Sequence, residues 1–460
     1  MTTPRSKAST ELTQTRAGGP VQVFYQKPGD PRHATVARGR GIYLWDTDGK
    51  KYIDASSGPI AVNIGHGNER VAEAVRIQME KVSYASRFFF ENEANSRLAD
   101  LVAQQAGVGY ERVFFVSGGS EATESALKLA RQYAVVQGQA SRWKVLSRNP
   151  SYHGATLGAV AISGDPVSER MYGPMFKAMP KVPAPFSYRV PEGHTAESYA
   201  MACAAELEAT IVREGPESVL AFIMEPVGGL ATGALVSTVD YCRRVRDICT
   251  RYGVLLIFDE VMSGAGRCGT FLTSHQLEGC EPDLVTLAKG LASGYTPLGA
   301  VLAPDAMVAA VSESGGFMHG YTYSSNPLSC AIGLAAVEET VERELGKNAL
   351  LMGARMRSRL QEVQRRRRVL GDIRGLGLLM AVEIVVDQES RGIFPGSVNA
   401  IGKIVALARE RGLLLYSRRT ADGLYGEWLM IAPPLIVTEE EVDTIAELLD
   451  DTLQAFENTL

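Results

Sequence analysis

The chain has 460 residues, 45% hydrophobic, 22% charged and 7% aromatic, which is enough ordinary globular sequence for a large core and more than one domain. Its 47 basic residues stand against 52 acidic ones for a net charge of −5, so the totals carry no nucleic-acid footprint. No apolar run approaches the roughly 18 residues of a membrane span. Cys203, Cys242, Cys249, Cys268, Cys280 and Cys330 form no C-x-x-C pair, and none has a histidine at metal-ligand spacing. Neither structural zinc nor a disulfide framework is expected, and a reducing, cytoplasmic compartment is.

In chain order, the polar start MTTPRSKASTELTQTRAGGP lacks an apolar segment and reads as a disordered start and not a signal peptide. ATVARGRGIYLWDTDGKKYID reads as a hairpin meander with DTDG as a turn. NERVAEAVRIQMEKV and ENEANSRLADLVAQQAG have helical periodicity. RVFFV is a strand, followed by a helix from about Ser120 to Val136. WKVLSRN, VLAFIMEP, VLLIFDE, DLVTLA and GAVLAP are further strands, separated by helices or loops. This alternation implies a mostly parallel sheet with helices on both faces.

After about residue 330 the pattern changes. The long helix PLSCAIGLAAVEETVERELG and another after it precede the short strands RGLGLLMAVEIV, GLLLYSR and WLMIAPP. The division expected is 1–67 as an N-terminal segment, 68–330 as a large domain and 331–460 as a small α+β domain that the N-terminal segment joins. The basic run Arg365 to Arg368 is flanked by acids and reads as a solvated helix face.

Four loops at strand ends carry chemistry. RVFFV runs into SGGSEATE, where Gly119 and Ser120 open a helix whose N-terminal N–H groups suit an anion. The lysine of a P-loop is missing, which disfavours a nucleoside triphosphate; Ser117 or Ser120 could also be a plain helix cap. After WKVLSR, the loop NPSYHGAT offers Tyr152 as a flat face and His153 as a titratable or donating ring, or both as structural residues. The apolar run Val254 to Phe258 ends in Asp259 and Glu260; in an open parallel sheet, an acid at that end can belong to the ligand. Glu260 reads as structural. Lys289, in TLAKGLASG, follows an apolar strand in surroundings that favour a lowered pKa and Schiff-base chemistry, unless it is a solvent-exposed loop lysine. A phosphate cradle, a ring to stack on, an acid and an isolated amine are together the handles of pyridoxal 5'-phosphate.

FDEVMSGAGRCG followed by LAKGLASGYTPLGAV resembles the class III pyridoxal-phosphate aminotransferases of fold type I, and SGGSEATE, SYHG, EPVGG, FDEV, AKG, HGYTYSSNP and APPLIVTEEEVD stand in that family's order. The resemblance runs from about residue 35 to the C-terminal segment. It implies an α/β fold: a large cofactor-binding domain with a mostly parallel sheet, and a smaller domain built from both terminal segments. It also implies that Lys289 bonds covalently to the cofactor and moves the proton, and that Asp259 pairs with the pyridine nitrogen. Val261 would pack under the ring, Tyr152 over it, with His153 nearby, and Gly119 and Ser120 would hold the phosphate. Thr322 would reach the phosphate of a neighbouring subunit, making a homodimer with shared sites, and Glu225 would be an acid close to the cofactor or a structural one.

Where relatives acting on ornithine or 4-aminobutyrate have a second glutamate, this chain has an apolar residue at about Leu230. The pattern is most similar to the amine:pyruvate (omega) aminotransferases, which move an amino group from a primary amine or omega-amino acid to a 2-oxo acid. Pro59 and Ile60 stand where several of those enzymes place a tryptophan, and Phe89, within Phe88 to Phe90, is a candidate apolar wall, the alternative being a core or dimer-interface role. Arg418 or Arg419 would bind the acceptor carboxylate through a bidentate guanidinium, unless both are surface arginines. Other fates of the same chemistry, in an aminomutase, racemase or decarboxylase, remain alternatives, as does a non-catalytic binding protein. The partners expected are a small-molecule amine and an oxo acid, with no nucleic acid, membrane or metal.

Overall fold

The structure, a computed structural model, describes residues 34–460; the polar start read above lies outside them. The N-terminal strands are β1 (Val36–Arg40), β2 (Tyr43–Asp46) and β3 (Lys51–Asp54). They are followed by β4 (Arg112–Val116), β5 (Lys144–Asn149), β6 (Lys181–Pro183), β7 (Val219–Met224), β8 (Leu255–Asp259), β9 (Leu284–Leu287) and β10 (Gly299–Ala303). The last five are β11 (Leu370–Leu376), β12 (Leu379–Ile384), β13 (Leu413–Leu414), β14 (Tyr416–Thr420) and β15 (Gly426–Ile431).

The central sheet has the order β4-β10-β9-β8-β7-β5-β6. Six strands run one way and β10 runs against both its neighbours. Helices cover both faces, so its central strands β7, β8, β9 and β10 are apolar over nearly their whole length. Along β8, Leu256 and Phe258 enter one core with the helices Ala196–Glu214 and Val239–Tyr252, while Ile257 enters the opposite core with the helix Gly119–Val136. The three-residue β6 at the sheet edge has too little apolar sequence to be read in advance.

The meander folds as expected: β1, β2 and β3 pair antiparallel, and the Asp46 carboxylate closes the turn by accepting the N–H groups of Asp48 and Lys50. β13 joins the same sheet beside β3, which ties residues near 53 to residues near 413.

Two C-terminal readings need correction. RGLGLLMAVEIV is not one strand: Gly375 (φ 133°) and Gly377 (φ 57°) turn it into the β11–β12 hairpin. GLLLYSR divides between two sheets, β13 with β3 and β14 with β15. The sheet β11-β12-β15-β14 sorts its side chains by alternation. Met380, Val382, Leu429 and Ile431 face a core shared with the helices Leu345–Arg366, Ala400–Glu410 and Glu439–Glu457. Leu379, Ala381, Trp428 and Met430 form a second cluster with Ile60, Val227 and Ala234, at the seam with the central sheet. In the basic run, Arg365, Arg366 and Arg368 are exposed as expected. Arg367 is instead held between Asp450 and Glu457, because the helix it ends packs against the last helix.

Arg267 crosses the seam. Its wholly buried guanidinium donates to the carbonyls of Leu378, Pro433 and Val62 and to Asn63 Oδ1 (2.8 Å). Burial lowers its pKa to about 10. Replacing it by methionine leaves those buried acceptors unpaired. Arg267→Met should therefore destabilise the fold by about 3 kcal/mol or more in chemical denaturation, at about 1–3 kcal/mol for each lost partner.

Candidate functional site

Six parallel strands present their carboxyl ends along one edge, and a cavity of about 440 Å³ lies there. Each expected loop contributes: Gly119 and Ser120 after β4, Tyr152 and His153 after β5, Glu225 after β7, Asp259 and Val261 at β8, Lys289 after β9. Because β10 is antiparallel, it is the residues before it, Thr296, Pro297 and Leu298, that reach the same cavity.

The helix Gly119–Val136 starts at Gly118 with no side-chain cap. Neither serine performs the capping alternative: Ser120 Oγ accepts the Ala155 N–H (2.9 Å), and the Ser117 N–H donates to Glu121 (2.8 Å). The first-turn N–H groups thus lie at the wall of a cavity, the arrangement that suits an anion. A Cβ on Gly119 would come within 2.9 Å of Val261 Cγ1, so this close approach of turn and floor requires glycine.

Asp259 is buried and oriented from both sides. Its Oδ2 is 2.8 Å from His153 Nδ1, which must donate since a carboxylate only accepts; its Oδ1 accepts the Val261 N–H (3.1 Å). His153 is itself held: its N–H donates to Ser163 Oγ and its carbonyl accepts Thr123 Oγ1. Glu260 points the other way and accepts the N–H groups of Thr273 and Ser274, the structural role expected of it.

Glu225 is buried in the wall, and burial raises its carboxyl pKa. Oε1 accepts the Gly229 N–H (3.2 Å), whereas Oε2 has no hydrogen-bond partner and lies 3.8 Å from Arg148. Sequence reading missed Arg148. It sits on the strand before Tyr152, wholly buried, and donates to Ser237 Oγ and to the Glu225 carbonyl.

Lys289 lines the cavity half-buried, and desolvation lowers its amine pKa to about 8. Its φ of 45° is a left-handed conformation that costs a non-glycine residue energy and points to an imposed position. The alternative of a solvent-exposed loop lysine does not hold.

Among the substrate candidates, Pro59 lines the cavity and Ile60 does not, being packed in the seam cluster with Trp428. Arg418 lines it; Arg419 faces the opposite side of β14 and binds the Phe394 carbonyl and Glu427, since adjacent residues of a strand point apart. The same alternation brings in Tyr416, a cavity residue that sequence reading missed although period two could have found it. Leu230 and Met262 add apolar wall. Phe89 is 78% exposed and stands outside the cavity, with Phe88 and Phe90 equally uncovered, so none of the three belongs to the core. Thr322 is exposed, outside its own chain's cavity; its carbonyl accepts the Tyr84 hydroxyl (3.1 Å).

The donor set fits pyridoxal 5'-phosphate: an uncapped helix start for the phosphate, an oriented carboxylate for a protonated ring nitrogen and a desolvated amine for the aldehyde. Among the described residues there is no cluster of metal-ligating side chains.

A family model for class III aminotransferases matches residues 24–453. The diaminobutyrate–2-oxoglutarate transaminase of Halomonas elongata is 36% identical over 427 residues, covering 91% of this chain and 89% of its own. The hypotaurine/taurine–pyruvate aminotransferase of Paracoccus denitrificans is 33% identical over 437 residues, 92% of each chain. An amine transaminase from an uncultivated Pseudomonas species, solved in its PLP-bound form, superposes with a TM-score of 0.87 at 33% identity, over 97% of this chain and 99% of that one.

The lowered Lys289 pKa makes a prediction with a definite sign. Only the neutral amine attacks an aldehyde, so uptake of pyridoxal 5'-phosphate by the apoprotein should speed up as pH rises through about 8. Stopped-flow absorbance over pH 6.5 to 9.5 would show a midpoint near 8; a rate still climbing towards the pKa of an ordinary lysine, roughly 10.4, would contradict it.

Proposed function

The chain belongs to the class III aminotransferases, pyridoxal-phosphate-dependent transaminases, and from that premise we propose that it moves an amino group from a primary amine or omega-amino acid to a 2-oxo acid such as pyruvate. One observation carries the substrate reading. Beyond the residues that suit the cofactor, the cavity wall is apolar at Pro59, Ala61, Val227, Leu230 and Met262, and among the described residues Arg418 is the one guanidinium lining it. A donor without an α-carboxylate needs no cation, while an oxo acid needs one, and Arg418 supplies it. The taurine-type relative that uses pyruvate and the amine transaminase neighbour agree with that division.

When bound, pyridoxal phosphate supplies an aldehyde that takes up the amino group and a ring that accepts electrons. This chain's residues do the rest. The Gly119–Ser120 turn would hold the phosphate, and Tyr152 and Val261 would flank the ring. Asp259, steadied by His153, would keep a proton on the ring nitrogen through its opposite charge. Lys289 Nζ would hold the cofactor's aldehyde and, once the incoming amine has displaced it and freed its amine, would take a proton from the carbon bearing the donor nitrogen; with a pKa near 8 it can both accept and return that proton near neutral pH. Apolar walls exclude water while it does so.

In this reading the enzyme is a homodimer. Phe88, Phe89, Phe90, Met318 and Tyr323 form an exposed apolar band next to Thr322, of the kind an interface covers. Covered by a second copy, Thr322 and Phe89 stand near the partner's cavity. The described part of the N-terminal segment, 34–67, and residues 331–460 act as one small domain against 68–330, joined through the β3–β13 pair.

The test is the visible spectrum of the holoenzyme. A band from lysine-bound cofactor should collapse on adding a primary amine and return with pyruvate, and Lys289→Ala should show no such band and lose activity by a factor of about 10³ or more, since both the covalent link and the proton carrier go. A band that forms yet survives every amine tried would reject the amine-donor reading. A 2-oxoglutarate-only recovery would replace pyruvate with a dicarboxylic acceptor.

A further inference from the structure

Arg418 is already engaged. Its Nη2 donates to Asp165 Oδ2 at 2.9 Å, and both side chains are largely desolvated, at 23% and 11% exposure. Asp165 stands outside the main cavity, in a side pocket of about 230 Å³ that shares Tyr152 and Gly154 with it. Arg418 therefore reaches past Tyr152 from the substrate cavity into the neighbouring pocket. Asp165 is also well anchored: Oδ1 caps the Val167 N–H (3.2 Å) and Oδ2 accepts Ser168 Oγ (2.8 Å). Burial works against its charge, but the Ser168 hydroxyl and the Arg418 guanidinium outweigh that and lower its pKa.

We propose that Asp165 is an internal counter-ion that occupies Arg418 until a substrate carboxylate displaces it, and that it thereby sets the enzyme's affinity for carboxylate-bearing acceptors. This rests on the transaminase reading above, with Arg418 as the acceptor's cation. A guanidinium binds one carboxylate bidentately and well; an acceptor carboxylate and Asp165 compete for the same N–H groups. An amine donor without a carboxylate leaves the pair intact, whereas a 2-oxo acid must pull Arg418 away from Asp165. The pair thus weakens oxo-acid binding selectively and also steadies the empty cavity against an unpaired, half-buried cation. Asp165 acts through Arg418 and is a positioning residue.

The test uses Asp165→Asn, whose Oδ1 keeps the helix cap while its Nδ2 donates to Ser168 Oγ, and which removes the charge. In the holoenzyme, propionate, an unreactive carboxylate, is titrated against the visible band, and KM is measured for pyruvate and for propanal, a neutral acceptor. Asp165→Asn should tighten propionate and lower the pyruvate KM by roughly three- to fivefold, the upper part of the range expected for a partly exposed ion pair, with the propanal KM moving less than about twofold. In an Arg418→Gln background the same substitution should change neither ligand. Equal shifts for pyruvate and propanal, weaker propionate binding, or an effect that persists without Arg418 would overturn the proposal. If the wild-type holoenzyme forms its band yet turns over no pyruvate, the acceptor reading fails, while the propionate titration still decides the role of Asp165.

Discussion

The seam between the central sheet and the C-terminal sheet is held by two buried cations, Arg374 on the Gly233 and Thr232 carbonyls and Arg267 beside the turn near residue 62. Among the described residues Arg267 has no carboxylate within ion-pair distance; it donates instead to carbonyls from three separated stretches of chain and to Asn63. Burying a guanidinium is costly unless all these acceptors converge, so the segment after β8, the turn near residue 62 and the chain near 378 and 433 have to meet at one point. The cavity opens along that meeting. Pro59 and Ala61 enter it from one side, Tyr416 and Arg418 from another, and the sheet edge forms its floor.

On that floor, chemistry follows from strand direction. Carboxyl ends of parallel strands put Asp259 and Lys289 on adjacent strands at the same edge, and the helix after β4 adds its N-terminus. Desolvation then divides their labour. It lowers the amine of Lys289 towards neutrality and raises the carboxyl of Glu225. The hydrogen bond from His153, in contrast, holds Asp259 in a single orientation. Buried groups pushed in different directions within one cavity are what a proton-transfer site needs.

The selectivity proposed above rests on the rim, where a single strand carries two neighbouring arginines. Arg418 and Arg419 look interchangeable in a string of letters. On β14, alternation sends one into the cavity and the other to Glu427, and the position of Asp165 then determines what the cavity-facing one does at rest.

Much of the fold was legible because its signals are local. Apolar runs bounded by glycine mark the buried strands, helical periodicity marks the covering helices, and Gly119, Asp259 and Lys289 each stand at the end of such a run, where ligands bind in this kind of sheet. These features belong to a few consecutive residues, so the sequence by itself determined the sheet class, the cofactor chemistry and the residues after each strand. What depended on distant partners was not legible. Arg148 beneath Glu225, Arg267 at the seam, the division of GLLLYSR between two sheets, the burial of Ile60 and the pairing of Arg418 with Asp165 all join residues dozens to hundreds of positions apart. Only packing in three dimensions sets which of these groups lose water and which neighbour replaces it, and that exchange is what the tertiary structure decided.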